Sequence, residues 1–365
     1  MNLPLLTSRS RVMLFAPHPD DESLATGVYL QRATAAGAAV RVVYATSGEN
    51  NCWPQRLLER KIRLCEMDRR RWAARRQAES LAALRILGIA AENVEFLSLP
   101  DQGVTNLLLR GCKETTRRLG LALAAWRPTH LLLPSARDTH PDHSGLAVFL
   151  RLVIKDYLPL PWQITQLHYL VHGASGSFAH QASDLAHNSM ERKAKRRAIL
   201  CHATQVAFSR RRFLSYARRP ERFVVGQEKM APICDGPIRS FTRARGRLWL
   251  QVSFTLKPLR AEETSLYVIG HAAAGGPRRL RATLPGRSTR INLIDCASGA
   301  ISSVGHYRGD AFKAEISLPL IGFAVHQPIF VKLNRFVWFF DEAGWVEIPS
   351  LVVEATATLP QLAVA

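Results

Sequence analysis

Two short apolar runs, each ending in histidine and aspartate, constrain this chain more than any other feature. Val12-Met13-Leu14-Phe15 leads into Ala16-Pro17-His18-Pro19-Asp20-Asp21-Glu22, and a helical pattern follows from about Ser23. His130-Leu131-Leu132-Leu133-Pro134 leads towards Thr139-His140-Pro141-Asp142-His143, again ahead of a helical pattern. A short apolar run stopped by proline reads as a buried strand. Both polar clusters therefore fall where a strand ends and a helix begins, the edge at which open α/β sheets bind ligands. One histidine and three carboxylates between residues 18 and 22 raise one another's cost of ionisation unless a cation neutralises them. His-x-x-Asp supplies one nitrogen and one oxygen ligand for such a cation, and the second cluster on the same sheet can converge on the same ion. The plainer alternative is that Asp20, Asp21 and Glu22 cap the helix and complement its dipole.

At 365 residues the chain is long enough for two domains, and 47% hydrophobic with 21% charged residues is the balance of a globular protein. No apolar stretch approaches a membrane span, and Met1 to Arg11 has no signal-peptide core. The six cysteines (52, 65, 112, 201, 234 and 296) form no CxxC pair, which fits reduced thiols and a cytoplasmic location better than a disulfide framework. The formal net charge of +20 fits a polyanionic partner or an anionic membrane surface, or simply an arginine-rich, GC-rich genome. No nucleic-acid motif accompanies it.

The periodicity predicts strands at 11–16, 40–45, 94–97, 129–133 and 164–171, alternating with helices at 23–36, 55–87, 113–126 and 144–157. That alternation implies an α/β, Rossmann-like, mostly parallel sheet with helices on both faces. Residues 188–201 read as a basic amphipathic helix. Around residue 235 the texture changes to period-two alternation, as in Leu248–Val252, Ser265–Ile269, Phe312–Ile316 and Ile329–Leu333, which predicts a C-terminal all-β sandwich. The expected division is residues 1–235 and 236–365. Phe336-Val337-Trp338-Phe339-Phe340 reads as sandwich core, with sugar stacking as the alternative.

Pro17-His18-Pro19-Asp20-Asp21-Glu22 together with His140-Pro141-Asp142-His143 resembles the paired motifs of the LmbE-like or PIG-L family of zinc-dependent N-acetylglucosaminyl deacetylases. Weaker features fall in the same order: Thr46-Ser47-Gly48-Glu49, Arg76-Gln77-Ala78-Glu79, Leu99-Pro100-Asp101, Lys195…His202-Ala203-Thr204-Gln205 and Pro220-Glu221-Arg222-Phe223. The resemblance covers roughly residues 10–226. Thr204 stands where serine is usual, and Ala25-Thr26 where many members carry glycine or cysteine; neither touches an expected ligand.

The resemblance implies zinc, with iron as the alternative in the cell, held by His18, Asp21 and His143. It implies Asp20 as general base and His140 as a protonated group facing the carbonyl oxygen, with Asp142 beside it holding the ring and raising its pKa; a helix-cap role is the alternative for Asp142. Arg76 and Asp101 are the expected substrate-binding residues, and Glu22 is expected to accept a bond from a ligand histidine. Glu49, Lys195 and His202 are expected to be structural or to lie on the rim. The implied reaction removes an acetyl group from an N-acetylated amino sugar in a glycoconjugate. A different N-acyl conjugate is one alternative. The other, from a different class, is a polyanion- or membrane-surface-binding protein with a vestigial site.

Overall fold

The protein is described by a computed structural model covering residues 3–158, 163–173, 176–226, 236–254, 264–334, 336–337 and 340–350. In chain order its first part runs β1 (Arg11–Ala16), α1 (Asp21–Ala25), α2 (Gly27–Ala35), β2 (Ala39–Thr46), α3 (Cys52–Glu59), α4 (Glu66–Ile86), β3 (Val94–Leu99), α5 (Val104–Arg110) and α6 (Lys113–Trp126). It continues β4 (His130–Pro134), α7 (Pro141–Tyr157), β5 (Thr165–Tyr169), α8 (Gly176–Gln181), β6 (Ser183–Leu185), α9 (Ser189–Cys201), α10 (Ala203–Tyr216) and β7 (Glu221–Val225).

These strands make one sheet in the order β3-β2-β1-β4-β5-β7-β6. The pairings β1–β2, β2–β3, β1–β4 and β4–β5 are parallel, whereas β7 is antiparallel to both β5 and β6. The chain winds outward from β1 through β2 and β3, then returns to lay β4 on the other side of β1. The order therefore reverses beside β1, and the carboxyl ends of β1 and β4 flank a crevice. Val12 to Ala16 and Leu131 to Leu133 are buried on both faces, as central strands of a covered parallel sheet must be.

Two helices expected to be continuous are broken, the first by a side chain from far along the chain and the second by residues within the stretch itself. Residues 23–36 divide at Thr26 because the Glu221 carboxylate accepts from Val28 N (2.7 Å) and Tyr29 N (3.0 Å), capping α2 as a separate helix. Residues 55–87 divide because Arg60 ends α3 in the left-handed region (φ 53°) and Asp68 accepts from Cys65 N (3.0 Å) to start α4. The periodicity does not anticipate the short helix α5; its N-terminal N–H groups are capped by Asp142, a residue distant in sequence.

The second part adds β8 (Ile238–Ala244), β9 (Arg247–Ser253), β10 (Ser265–His271), β11 (Pro277–Thr283), β12 (Thr289–Asp295), β13 (Ile301–Gly309), β14 (Lys313–Pro319), β15 (Ile329–Asn334), β16 (Phe336–Val337), β17 (Phe340–Asp341) and β18 (Val346–Ile348). Nine of these form a single antiparallel sheet in the order β18-β15-β10-β11-β12-β13-β14-β9-β8. Its two end strands lie against each other, and Arg243 Nη1 of β8 donates to Pro349 O just beyond β18 (3.0 Å). The sheet is thus nearly closed, with Leu250, Leu266, Ile316 and Val331 in its interior. The four alternating segments read from sequence are β9, β10, β14 and β15.

The two parts share a core. Ile269, Phe330 and Trp345 pack in the same cluster as Phe15, Leu131 and Phe149, and all three are at most 1% exposed. Trp345 N donates to Ala136 O (2.6 Å), Asp341 N to Thr139 O (2.9 Å), and Arg151 pairs with Glu347 (2.7 Å). A side chain at Gly344 would run into the backbone of Ala136 and Arg137, so glycine is needed at this crossing. The expected boundary at 235/236 falls beside residues 227–235, outside the described residues, as are Trp338 and Phe339 of the aromatic stripe. No helix among the described residues is long and apolar enough to cross a membrane.

Candidate metal centre and active-site cavity

Both clusters meet at the crevice. The turn after β1 carries His18, Asp20 and Asp21. The loop after β4 ends on His140, the N-cap of α7, whose first turn supplies Asp142 and His143. His18 Nδ1 lies 3.1 Å from His143 Nε2, and Asp21 Oδ2 lies 3.5 Å from the first and 3.3 Å from the second. Three ligands of a four-coordinate zinc, each at about 2.0–2.1 Å, stand about 3.3–3.4 Å apart. The three atoms already have that spacing.

The outer nitrogens of the two rings fix where the inner ones point. His143 Nδ1 is 3.1 Å from Asp138 Oδ2, so it carries the proton and leaves Nε2 with its lone pair. His18 Nε2 faces Asp101 Oδ1 (3.1 Å) and Asp142 Oδ2 (3.3 Å), which leaves Nδ1 as the lone-pair nitrogen. Two imidazole lone pairs and a carboxylate oxygen then face one point, an arrangement that is repulsive without a cation. Burial alone would lower the pKa values of His18 and His143, but the surrounding aspartates carry both above the ordinary value, so without a metal ion protons supply the positive charge and a bound ion would displace them. Burial alone would raise Asp21; His143 and His18 beside it bring it down instead. His140 and His172 bring further ring nitrogens near parts of this set.

Asp20 lies beside the triad and its backbone has φ 122°, a strained value for a residue with a side chain. Its Oδ2 is 3.2 Å from Arg76 Nη2. Burial is the main influence on its carboxyl and raises it to about 7, with Arg76 pulling the other way. Arg76 is itself buried and donates to Gly48 O (2.8 Å) and Pro19 O (2.6 Å). A side chain at Gly48 (φ 66°) would overlap this guanidinium. The fork expected to hold substrate thus uses both its Nη atoms on the turn and on Asp20. Asp101, also expected to bind substrate, faces His18 and accepts from Asn50 N (2.7 Å); both it and Arg76 line the cavity as well.

Three further expectations are corrected. The Asp142 carboxylate accepts from Gln102 N (2.6 Å) and Val104 N (3.0 Å) and faces His18, so its link to His140 runs through the backbone: Asp142 N donates to His140 Nδ1 (3.2 Å). His140 is held well below its ordinary pKa by burial and by the neighbouring His18 and His143, and is neutral rather than cationic. Glu22 accepts not from a ligand histidine but from His202 Nε2 (2.7 Å) and Ser23 Oγ (2.6 Å). Lys195 and His202 are structural as expected, each in a fully buried ion pair, Lys195 with Glu221 (2.6 Å).

Replacing His202 by alanine leaves Glu22 buried without its counter-ion, a loss of roughly 3–5 kcal/mol in a denaturant titration. His202 is buried, which lowers its pKa, but Glu22 and then Asp20 raise it above 6.5 overall against the opposing Arg76. Its contribution is therefore present below the unfolded value and is lost as pH rises through the raised folded one. Melting temperature should fall over that range more steeply in the wild type than in His202→Gln.

A cavity of about 330 Å³ opens over the cluster, with His18, Asp20, Asp21 and His140 at its floor. Trp53, Phe208, Phe213 and Tyr216 line its outer part, and Phe340 closes one side. Phe340 is therefore not sandwich core as its run suggests; its ring lies 5.7 Å from His140 and 5.2 Å from His172. Asp138 and His172 escape a reading of the sequence as site residues, whereas Phe340 falls in the run for which sugar stacking is the alternative. Asp138 leaves one signal, an acidic residue five positions before His143 in the same strand-to-helix loop. If Asp138 holds the His143 tautomer, Asp138→Asn should weaken metal binding about 10–100-fold, read by competition with a chromogenic chelator.

A family profile described as "PIG-L: GlcNAc-PI de-N-acetylase" matches residues 13–154. A 1D-myo-inositol 2-acetamido-2-deoxy-alpha-D-glucopyranoside deacetylase from Mycolicibacterium vanbaalenii is 28% identical over 194 residues, 48% of this chain and 63% of that protein. The protein of the same name from Mycobacterium avium is 42% identical over 84 residues, 22% of this chain and 25% of that one. The chain thus spans less than two thirds of the length of these curated relatives. Among solved structures, N,N'-diacetylchitobiose deacetylase from Pyrococcus horikoshii superposes with a TM-score of 0.45 at 19% identity, covering 60% of this chain and 84% of that one. The matched segment contains His18, Asp20, Asp21, Asp138, His140, Asp142 and His143, and residues 13–154 of this chain are a PIG-L family domain.

Proposed function

We propose that the chain is a metal-dependent hydrolase that removes an acetyl group from an N-acetylated amino sugar. The observation that carries this is the set His18 Nδ1, Asp21 Oδ2 and His143 Nε2, spaced 3.1–3.5 Å apart, with both outer ring nitrogens tied to carboxylates. These residues would hold a divalent metal, zinc by the chemistry of a two-nitrogen, one-oxygen donor set. Such an ion supplies Lewis-acid polarisation of an amide carbonyl and makes a water more acidic.

The protein's own groups do the rest. Asp20, with a carboxyl raised to about 7, is poised to take a proton from the attacking water near neutral pH. Arg76 positions Asp20. His140 accepts at Nδ1 from Asp142 N, so its proton sits on Nε2. As a neutral imidazole lining the cavity it can donate to the developing oxyanion without first being protonated. Asp142 acts through His18 and through α5, as a positioning residue.

The amino-sugar assignment rests on the names of the relatives and on the mixed cavity, where carboxylates and backbone meet aromatic faces that suit a pyranose. Acetate release from N-acetylglucosamine conjugates should disappear on chelation and return with zinc or ferrous iron. A panel of acyl lengths separates this reading from an amidase for another N-acyl conjugate: turnover confined to longer acyl groups would favour the latter.

A further inference from the structure

We propose that the hairpin from α3 to the start of α4 is a docking surface that sets the cavity mouth against an anionic lipid bilayer. Trp53 is 60% exposed, Leu57 59%, Ile62 88% and Met67 76%, all within fifteen consecutive residues. Trp53 and Leu57 are four residues apart on α3 and share a face. Phe208, 54% exposed on α10, joins Trp53 at the rim of the cavity. Single exposed apolar residues need no explanation, but a run of this size beside a binding cavity does.

Charge decides what covers it. Between residues 52 and 71 the chain carries seven arginines and lysines against three acids. The acids are engaged within the segment: Glu59 and Asp68 with Arg71, Asp68 also with Lys61, and Glu66 with Arg70. Arg60 and Arg63 are exposed and form no ion pair among the described residues, and Arg56 lies over the Trp53 ring at 5.4 Å. Exposed apolar side chains interspersed along the segment with a net excess of basic residues match the interface of an anionic bilayer, where each basic residue adds attraction to acidic headgroups. A symmetric self-contact through this face would set the same cations against each other. The inference does not depend on the hydrolase reading, because binding can be measured without turnover.

The test is co-sedimentation of the full chain with phosphatidylcholine vesicles, with and without phosphatidylglycerol, together with tryptophan emission. The protein should bind the anionic vesicles and not the neutral ones, with a blue shift that is absent in Trp53→Phe. The triple variant Leu57→Ser, Ile62→Ser, Met67→Ser, shown to be folded by circular dichroism and an unchanged melting temperature, should bind about tenfold or more weakly. Any of four results overturns the proposal: no binding to anionic vesicles; binding unchanged in the triple variant; no Trp53-dependent blue shift; or self-association in sedimentation that the triple variant abolishes. The last would assign the face to a second copy of the chain.

Discussion

Asp20→Asn should lower turnover on an N-acetyl amino sugar by about 10²–10⁴-fold while leaving the bound metal and the fold in place. Asparagine keeps the size of the side chain and can still accept from Arg76 through its amide oxygen. What it loses is the ability to take a proton. The three converging ligand atoms belong to His18, Asp21 and His143, whereas the Asp20 carboxylate is held by Arg76. Metal content and melting temperature should therefore stay near wild type. A variant that keeps wild-type turnover would show that another group accepts the proton and that Asp20 is not the base.

Removing residues 236–365 should leave no soluble, cooperatively folded remainder. The reason is the shared core: Ile269, Phe330 and Trp345 are buried in the cluster built by β1, β4 and α7. Full burial of side chains like these contributes roughly 1.5–3 kcal/mol each. Three of them are comparable with the about 5–15 kcal/mol that holds a typical domain together. Arg151 would also lose Glu347, and the His140 loop would lose its bonds to Asp341 N and Trp345 N. The sequence alone invites the opposite expectation, a detachable accessory domain whose loss spares small substrates. A truncated chain 1–235 that stays soluble, melts cooperatively and binds metal would restore that expectation. Phe340→Ala is the milder companion, predicted to impair turnover because the ring closes the cavity beside His140 without supporting the core cluster.

What is legible in the sequence follows from short-range pattern. The strand-to-helix position of both clusters is visible in the apolar runs before them, and His18, Asp21 and His143 do come together. Period-two alternation is enough to place β9, β10, β14 and β15. What is not legible depends on partners far away in the chain. Glu221 splits the first helix from 193 and 192 residues away, and Asp142 caps α5 from 38. Arg76 and Asp101 stand out in the sequence, yet their tasks do not: only the fold shows that Gly48, Pro19 and His18 claim their polar atoms. Phe340 belongs to an aromatic run that any β core could use, and nothing local reveals that it faces two histidines.

The most direct measurement is metal stoichiometry and affinity, by elemental analysis and chelator competition, in the wild type and in His18→Ala, Asp21→Ala and His143→Ala. One divalent ion per chain, lost or greatly weakened in each variant while the fold is kept, is the expected result. Equal metal binding in all four proteins, or full turnover by the thoroughly chelated wild type, would contradict a catalytic metal held by these three residues.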